Sequence, residues 1–273
     1  DGADFTPPHE DPEEAEVRLP EDDDDLSSAM LEAVGRHDVA FVFAALERMR
    51  GRGDEAMMED LVRAFDVDGN TMLHRCANGP EGCAPAPREA GEKIIALIVS
   101  AKADVNEANL LGETPLIAAA RSNSSATLGI VRVLLEAGAD PGAIDALEGE
   151  TALMEAASNG DEDLCLLLLE GKADPTQENA NGETARDLAM KSDRNPIVDL
   201  LDGGARAVEE GVDFEDMDWK SIFLKCSPTA LLRAAVDACD VASVHSHLIT
   251  LGASAEAALT VCDGRGRTLL HRC

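Results

Sequence analysis

Aromatic side chains are scarce in this sequence: they make up 3% of its 273 residues, with one tryptophan and no tyrosine. The cores of β-sandwiches are rich in aromatic and β-branched residues, so the composition argues against that fold. Hydrophobic residues still make up 45% of the chain, which is enough for a packed core. Because that core must be built from Ala, Leu, Val and Ile, closely stacked helices are favoured.

Basic residues are also few, with 23 Lys and Arg against 54 Asp and Glu, which gives a formal net charge of −31. Nucleic-acid binding needs a basic face for the phosphates, and binding to anionic membrane surfaces needs basic residues as well. The charge therefore argues against both kinds of partner. It permits a basic protein partner, but the simpler alternative is that the acids serve solubility alone.

The sequence lacks an apolar run approaching the ~18 residues of a membrane span, and no signal-peptide pattern opens it. Its seven cysteines are odd in number and form no CxxC pair. This is not a disulfide framework and favours a reducing compartment. We expect a cytoplasmic, monomeric protein.

Residue patterns typical of catalysis or metal binding are missing too. His74–Cys76 with Cys83, and His271–Cys273, each offer at most three zinc ligands, whereas a structural zinc site needs four. Gly264–Gly266 lacks the Lys and the further Gly of a phosphate-binding loop. Cys165 stands at an apolar helix position and is predicted to lie in the core rather than to act as a nucleophile. We therefore predict no enzyme activity, no metal and no cofactor.

The beginning of the chain has little to bury. Asp1–Asp25 holds twelve acids against a single base, Arg18, and four prolines. Such a segment cannot bury enough apolar surface to offset the entropy of ordering it. We predict a disordered acidic tail over residues 1–25, in which the run Asp22–Asp25 is solvated rather than a cation site.

One short motif is repeated four times in the middle of the chain. Each copy has a Gly, one further residue and a Thr ahead of an apolar segment. The copies are Gly69–His74, Gly112–Ile117, Gly149–Met154 and Gly182–Asp187. Their threonines lie 43, 37 and 33 residues apart, which fits a helix-turn-helix repeat of about 33 residues with insertions.

The first three copies are each followed by an apolar helix and a short ending, at Ala103–Asn106, Gly138–Asp140 and Ala173–Asp174. With these endings and the Gly-Glu-Thr-Pro-Leu at 112–116, the chain resembles the ankyrin-repeat family over about residues 66–205. The resemblance implies an all-α ankyrin-repeat solenoid of stacked helix-turn-helix units with short β-hairpin fingers. The family's histidine is present in one copy only, as His74.

The repeated residues also make physical sense at helix ends. A Thr at the helix start can accept from free backbone N–H groups, and Pro115 lies just inside the helix, where its missing N–H costs nothing. Gly112 and its counterparts permit a tight turn before the helix, and Gly138 can end a helix in the left-handed conformation. Because Lys102 and Lys172 replace that Gly, we expect strained or rearranged helix ends there.

The repeats predict a first array over residues 26–206, made of a capping repeat plus four repeats. Surface loops are predicted over 78–92 and 121–129. Residues 207–226 are predicted to be a linker whose Phe214, Trp219 and Phe223 pack against an array end.

The last part of the chain repeats the beginning of the first array. Thr268–Cys273 matches Thr71–Cys76, and Asp240–Val244 matches Asp38–Val42. Residues 227–273 are therefore predicted to begin a second array that is truncated, and we expect the natural protein to continue beyond it.

The resemblance implies a protein–protein interaction module or scaffold that binds its partner through the concave face of the solenoid. The alternative is a regulatory arm of a larger multidomain enzyme or channel. The candidate contact residues on the fingers are Val67, Asp68, Leu110, Leu111, Leu147, Glu148, Ala180 and Asn181. Those on or beside the first helices are Glu113, Arg121, Glu150, Ser158, Glu183 and Lys191.

Two features of these candidates have competing interpretations. The leucines can anchor a partner, or they can pack within their own hairpins. Glu113, Glu150 and Glu183 each precede a capping Thr, so stacked repeats are predicted to align them in an acidic column for a basic peptide. The alternative is that acids are simply favoured at a helix N-terminus.

Overall fold

The computed structural model describes residues 17–53, 55–79, 88–122, 127–209 and 217–226. The predicted second array over 227–273 and most of the predicted tail, residues 1–16, lie outside the described residues. Phe214 and the prolines of the first predicted loop lie outside them as well.

Helices account for most of the described residues. The helices are α1 Asp23–Gly35, α2 Val39–Arg52, α3 Glu55–Val62, α4 Met72–Ala77, α5 Arg88–Ser100, α6 Pro115–Ser122, α7 Thr127–Glu136, α8 Ala152–Asn159, α9 Glu162–Glu170, α10 Ala185–Lys191, α11 Asn195–Glu209 and α12 Trp219–Cys226. Within the described part of the chain, β structure is limited to an isolated antiparallel bridge between Phe65 and Thr71.

The helices form two layers. The first helices of successive repeats, α1, α4, α6, α8 and α10, contact one another in that order, and the second helices, α2, α5, α7, α9 and α11, do the same. Each element thus contacts its neighbours in the stack, which is the arrangement of a repeat solenoid. The prediction of an all-α solenoid is confirmed.

Small and aliphatic side chains fill the space between the layers. Ala118–Ala120 of α6 are buried, which lets the first helices lie close together. Leu164, Leu168 and Leu169 of α9 are buried between the second helices, while Leu167 is only partly buried. The predicted burial of Cys165 is confirmed, since its side chain is fully enclosed in the same layer.

The helix ends follow the predicted chemistry. The Thr151 hydroxyl accepts from the Met154 N–H at 3.3 Å, and the Thr184 hydroxyl accepts from the Asp187 N–H at 3.4 Å. Lys102 and Lys172 have φ of 68° and 70°, in the left-handed region that Gly138 occupies with φ of 92°. Because this region is unfavourable for side chains with a Cβ, the predicted strain at both lysines is present.

Two predicted loops are shorter than expected. Helix α5 already begins at Arg88, so the first loop ends before residue 88 rather than at 92. Helices α6 and α7 extend to Ser122 and from Thr127, so most of 121–129 is helical. Turn-favouring residues in the sequence led us to overestimate the length of both loops. Packing against neighbouring helices extends helix ends beyond what local propensity indicates.

The first helix also begins earlier than the predicted tail allows. Helix α1 starts at Asp23, with Asp22 as its N-cap residue. Acidic side chains are stabilised at a helix N-terminus by the helix dipole and the free N–H groups. The acidic run therefore begins a helix, and residues 23–25 belong to the first array rather than to a tail.

The predicted linker is partly helical, and it covers the end of the array. Helix α11 continues to Glu209, and α12 packs against α11 and α9. Trp219 is 3% exposed and lies directly over Gly204, where an added Cβ would approach its ring to 2.3 Å. Lys220 Nζ forms an ion pair with Glu170 Oε1 at 2.8 Å. The predicted packing of Trp219 against an array end is confirmed.

Candidate functional site

Each finger is a tight turn held by one Asp or Asn side chain, which the sequence analysis did not identify. Asn109 Oδ1 accepts from the N–H groups of Leu111 at 2.9 Å and Glu113 at 3.0 Å. The same arrangement recurs at Asp66, Asp145 and Asn179. The signal in the sequence was an Asp or Asn four or five residues ahead of the residue that precedes each Thr.

We name the fingers by these turns: the first is 66–70, the second 109–113, the third 145–150 and the fourth 179–183. Backbone hydrogen bonds join each finger to the one before it. Leu110 N–H donates to Asp68 O at 3.2 Å, Ala146 N–H to Leu111 O at 2.9 Å, and Ala180 N–H to Glu148 O at 2.8 Å. The finger tips are therefore adjacent and in fixed order.

Apolar side chains stand exposed along these tips. Val67 is 93% exposed, Leu110 76%, Leu147 64% and Leu111 43%. We call these four residues the fingertip row. The leucines therefore do not pack within their own hairpins, so that alternative is wrong for Leu110 and Leu147. Since the turns are held by Asp and Asn side chains, the row contributes little to the local fold.

Glu113, Glu150 and Glu183 lie on successive hydrogen-bonded fingers, but two of the three are paired with bases rather than free. Glu113 is buried, with an exposure of 7%, and forms an ion pair with Arg121. It also accepts from Asn109 Nδ2 at 2.9 Å. Glu183 forms an ion pair with Lys191. Arg121 and Lys191 lie near the ends of α6 and α10, and their long side chains reach back to these acids.

Arg121 connects two repeats. Besides Glu113, its guanidinium contacts Asp145 Oδ2 at 3.2 Å and Glu155 Oε1 at 2.5 Å. Burial lowers the pKa of Arg121, but its bonds with Glu155 and then Asp145 outweigh burial and raise the pKa. Burial alone would raise the pKa of Asp145. The hydrogen bonds from the N–H groups of Glu150 and Glu148, together with Arg121, outweigh burial, so the pKa of Asp145 is lowered. Arg121 is thus committed to internal acids.

The third finger carries acids without such compensation. Glu150 is half-buried, and its carboxylate accepts one hydrogen bond, from Asn179 Nδ2 at 3.4 Å. Burial raises its pKa, and the charges of Glu155, Glu148 and Asp145 raise it further against the opposing effect of Asn179. Within the described ranges, the exposed Glu148 side chain has no ion pair or hydrogen bond. Glu148 and Glu150 are therefore the acids of the third finger that remain available to a ligand.

The remaining candidate contact residues lie on the first and fourth fingers and on α8. Asn181, Ala180 and Asp68 are exposed on the fourth and first fingers, and Ser158 is half-buried on α8. Asn159 Nδ2, next to Ser158, donates to Ala120 O at 3.2 Å, which links α8 to α6.

Both ring nitrogens of His74 are used in structural hydrogen bonds rather than being free to bind a metal. Its Nδ1 accepts from the Thr71 N–H at 3.2 Å, so the ring proton is on Nε2, which donates to Glu113 O at 2.8 Å. Burial lowers the pKa of His74 to about 4, against a smaller opposing effect of the Asp66 charge. Among the residues that the structure describes, no three His, Cys, Asp or Glu side chains are grouped to hold a metal ion.

The described thiols are not suited to nucleophilic chemistry. Burial raises the pKa of Cys76 to about 12. Burial, followed by the charges of Asp161 and Glu162, raises the pKa of Cys165 well above its usual value. Since the thiolate is the reactive form, both cysteines serve as core side chains. In the described part of the chain, no helix is long and apolar enough to cross a membrane.

Comparison with known proteins gives the same picture as the geometry. A family model described as ankyrin repeats (3 copies) matches residues 86–179 and 124–210. Ankyrin repeat and SAM domain-containing protein 6 of Rattus norvegicus is 40% identical over 90 residues, which cover 32% of this chain and 10% of that protein.

Two tyrosine-protein kinases are more distant relatives. HTK16 of Hydra vulgaris is 26% identical over 149 residues, covering 54% of this chain and 18% of the kinase. Shark of Drosophila melanogaster is 28% identical over 163 residues, covering 57% of this chain and 16% of the kinase. The match thus spans less than a fifth of each of these relatives. The repeated turns, the two helix layers and these matches together show that residues 86–210 of this chain are ankyrin repeats.

Proposed function

We propose that this chain is a protein-binding module that takes a segment of its partner across the fingers and the adjacent first helices. The observation that carries the proposal is the fingertip row: four apolar side chains stand exposed on ordered, hydrogen-bonded turns. Exposed apolar patches rimmed by polar residues mark sites of protein interaction.

The charge of the chain supports a basic partner. With a formal net charge of −31, the surface attracts Lys- and Arg-containing segments, which raises association rates more than affinity. The cysteine pattern supports a reducing, cytoplasmic environment for this binding.

A second function is supported by the kinases among the relatives. There the matched repeats are a small part of a longer catalytic chain. The corresponding proposal is that this module acts as a regulatory arm within a longer protein. In that case the bound segment belongs to the same polypeptide or to a partner of its other domains.

The test is affinity purification with two variants that each remove exposed apolar side chains. Leu110→Ser with Leu147→Ser removes the anchors, while Phe43→Ser removes an apolar side chain that is 52% exposed on α2, away from the fingers. We expect the double variant to lose a defined set of proteins that Phe43→Ser retains. Equal recovery by both variants contradicts the proposal.

A further inference from the structure

The third finger differs from the other three in length. Asp145 and Glu150 are five positions apart, whereas Asp66 and Asn70, Asn109 and Glu113, and Asn179 and Glu183 are each four apart. The extra residue leaves Ala146, Leu147 and Glu148 exposed at the tip. Both ends stay fixed, because Asp145 Oδ1 accepts from the N–H groups of Glu148 and Glu150. The tip is therefore a rigid, protruding contact.

The acid that precedes the capping Thr is paired with a base on the second and fourth fingers, whereas the corresponding Glu150 of the third finger accepts only a hydrogen bond from Asn179. Lys191 pairs with Glu183 on the fourth finger, and Arg121 pairs with Glu113 on the second. Around the third finger stand Glu113, Asp145, Glu148, Glu150 and Glu155 against Arg121, five acids and one base, for a local charge of −4. An incoming cation therefore gains most at Glu148 and Glu150.

The nearest exposed apolar side chains have a defined order relative to these acids. Leu147 adjoins Glu148 in the sequence, and Leu110 lies on the finger whose Leu111 carbonyl is bonded to Ala146. Leu110 also covers Gly69 of the first finger, where an added Cβ would meet its Cγ at 2.8 Å. Apolar contacts thus extend from the third finger toward the first, and the free acids lie at one end.

We propose, resting on the function above, that the occupant of the fingertip row is an extended protein segment with aliphatic side chains on Leu110 and Leu147 and a Lys or Arg against Glu148 and Glu150. The cation fixes the register of the segment, because a shift by one finger in either direction brings it to an acid that is already paired. The aliphatic contacts supply most of the affinity, and the charge pair supplies direction and specificity.

The experiment selects ligands without assuming a known partner. Random linear peptides displayed on phage are enriched on the whole chain and sequenced. We expect an excess of Lys or Arg beside aliphatic residues relative to the starting library. Binding of the enriched peptides is then measured by fluorescence anisotropy for three double variants at several salt concentrations.

The charge arm compares Glu148→Gln with Glu150→Gln against Glu136→Gln with Asp199→Asn, two exposed acids on α7 and α11. Both variants remove two negative charges. We expect about a fivefold loss of affinity and a flatter salt dependence for the first pair, with little change for the second. Equal losses for both pairs overturn the proposal, because they indicate the overall field alone.

The leucine variant separates the protein-binding function from the charge register. Leu110→Ser with Leu147→Ser abolishes binding of the enriched peptides if the row is the docking surface. Peptides that depend on these leucines but carry no Lys or Arg excess leave the protein-binding function standing and overturn the charge register. Peptides that bind all variants equally, or no enrichment at all, overturn both.

A pH titration gives an independent readout. The groups facing Glu150 are Asp145 and Glu148 of its own finger, Glu155 of α8 and Asn179 of the fourth finger, and burial with the three acids raises its pKa. Protonation removes the charge that meets the cation, so affinity falls as pH is lowered through the pKa of Glu150. Glu150→Gln is expected to lose this part of the pH dependence, and an unchanged pH profile contradicts the assignment.

Discussion

Leu168 and Leu147 both belong to the third repeat, yet Leu168 is fully buried and Leu147 is 64% exposed. Leu168 lies on α9 between neighbouring second helices, and the stack depends on it. Leu147 lies on a turn that is held by hydrogen bonds to Asp145 and not by its own side chain. The same residue type thus stabilises the helix stack in one place and remains available for contact on a finger in the other.

The strongest test of this difference is truncation of each leucine. Leu168→Ala leaves a cavity in a repeat that has neighbours on both sides, so we expect a loss of about 2–5 kcal/mol in the free energy of unfolding. Leu147→Ala is the matched control and is expected to change it by less than about 0.5 kcal/mol. Urea denaturation followed by circular dichroism measures both, and equal effects would remove the distinction between the helix stack and the fingers.

A second test concerns the histidine that joins the first and second repeats. The pKa of His74 is about 4 in the folded state and about 6.5 when unfolded, so the unfolded state binds more protons between these values. Stability from this residue is therefore complete above pH 6.5 and is lost as pH falls toward 4. The difference amounts to on the order of 3 kcal/mol.

The control for this test is taken from the third repeat, where the Thr151 N–H donates to Met154 Sδ at 3.5 Å in the place of the histidine ring. His74→Met keeps an acceptor that does not titrate. Unfolding free energies of both proteins are compared from pH 7.5 downward. A variant with the same pH slope as the wild type would show that His74 does not carry the effect.

A smaller effect is expected at the strained helix ends. Lys172 is exposed and has φ of 70°, so Lys172→Gly relieves strain and is expected to stabilise the fold by about 0.5 kcal/mol, after the added entropy of the unfolded chain. Lys93→Gly in the middle of α5 is the contrasting control, with an expected loss of about 1 kcal/mol. Thermal unfolding of the two variants should shift in opposite directions.

The smallest stability effect is predicted for the surface that we propose binds a partner. Leu110→Ser with Leu147→Ser should leave the free energy of unfolding within about 0.5 kcal/mol of the wild type. The reason is that the turn bonds run through Asn109 and Asp145 and not through the leucines. A loss of more than about 1 kcal/mol in the free energy of unfolding would contradict the view that the fold does not depend on the fingertip row.

Sequence reasoning identified the parts of the fold that depend on local chemistry. The capping threonines, the tight-turn glycines and the strained Lys102 and Lys172 all follow from residue type and position in the repeat. Trp219 was placed correctly because a large apolar side chain beyond the last repeat has few other surfaces to cover.

What sequence reasoning missed depends on contacts between repeats. Glu113 was expected to be an exposed acid, but Arg121 and Asn109 enclose it. The approach of Asp145 and Glu155 to that same guanidinium is set by how the repeats stack, and a periodic pattern does not contain that distance. The turn-holding Asp and Asn residues were readable in principle, since they recur at nearly constant spacing.

The Asp and Asn turns have a consequence for how such a surface changes over generations. Because one side chain per finger fixes the backbone, the residues at the tip are released from the demands of folding. Substitutions there are tolerated at little cost in stability, so different tip residues can be exposed to new binding partners without loss of the fold. A duplicated copy of this array can therefore drift toward a different ligand while its scaffold stays the same.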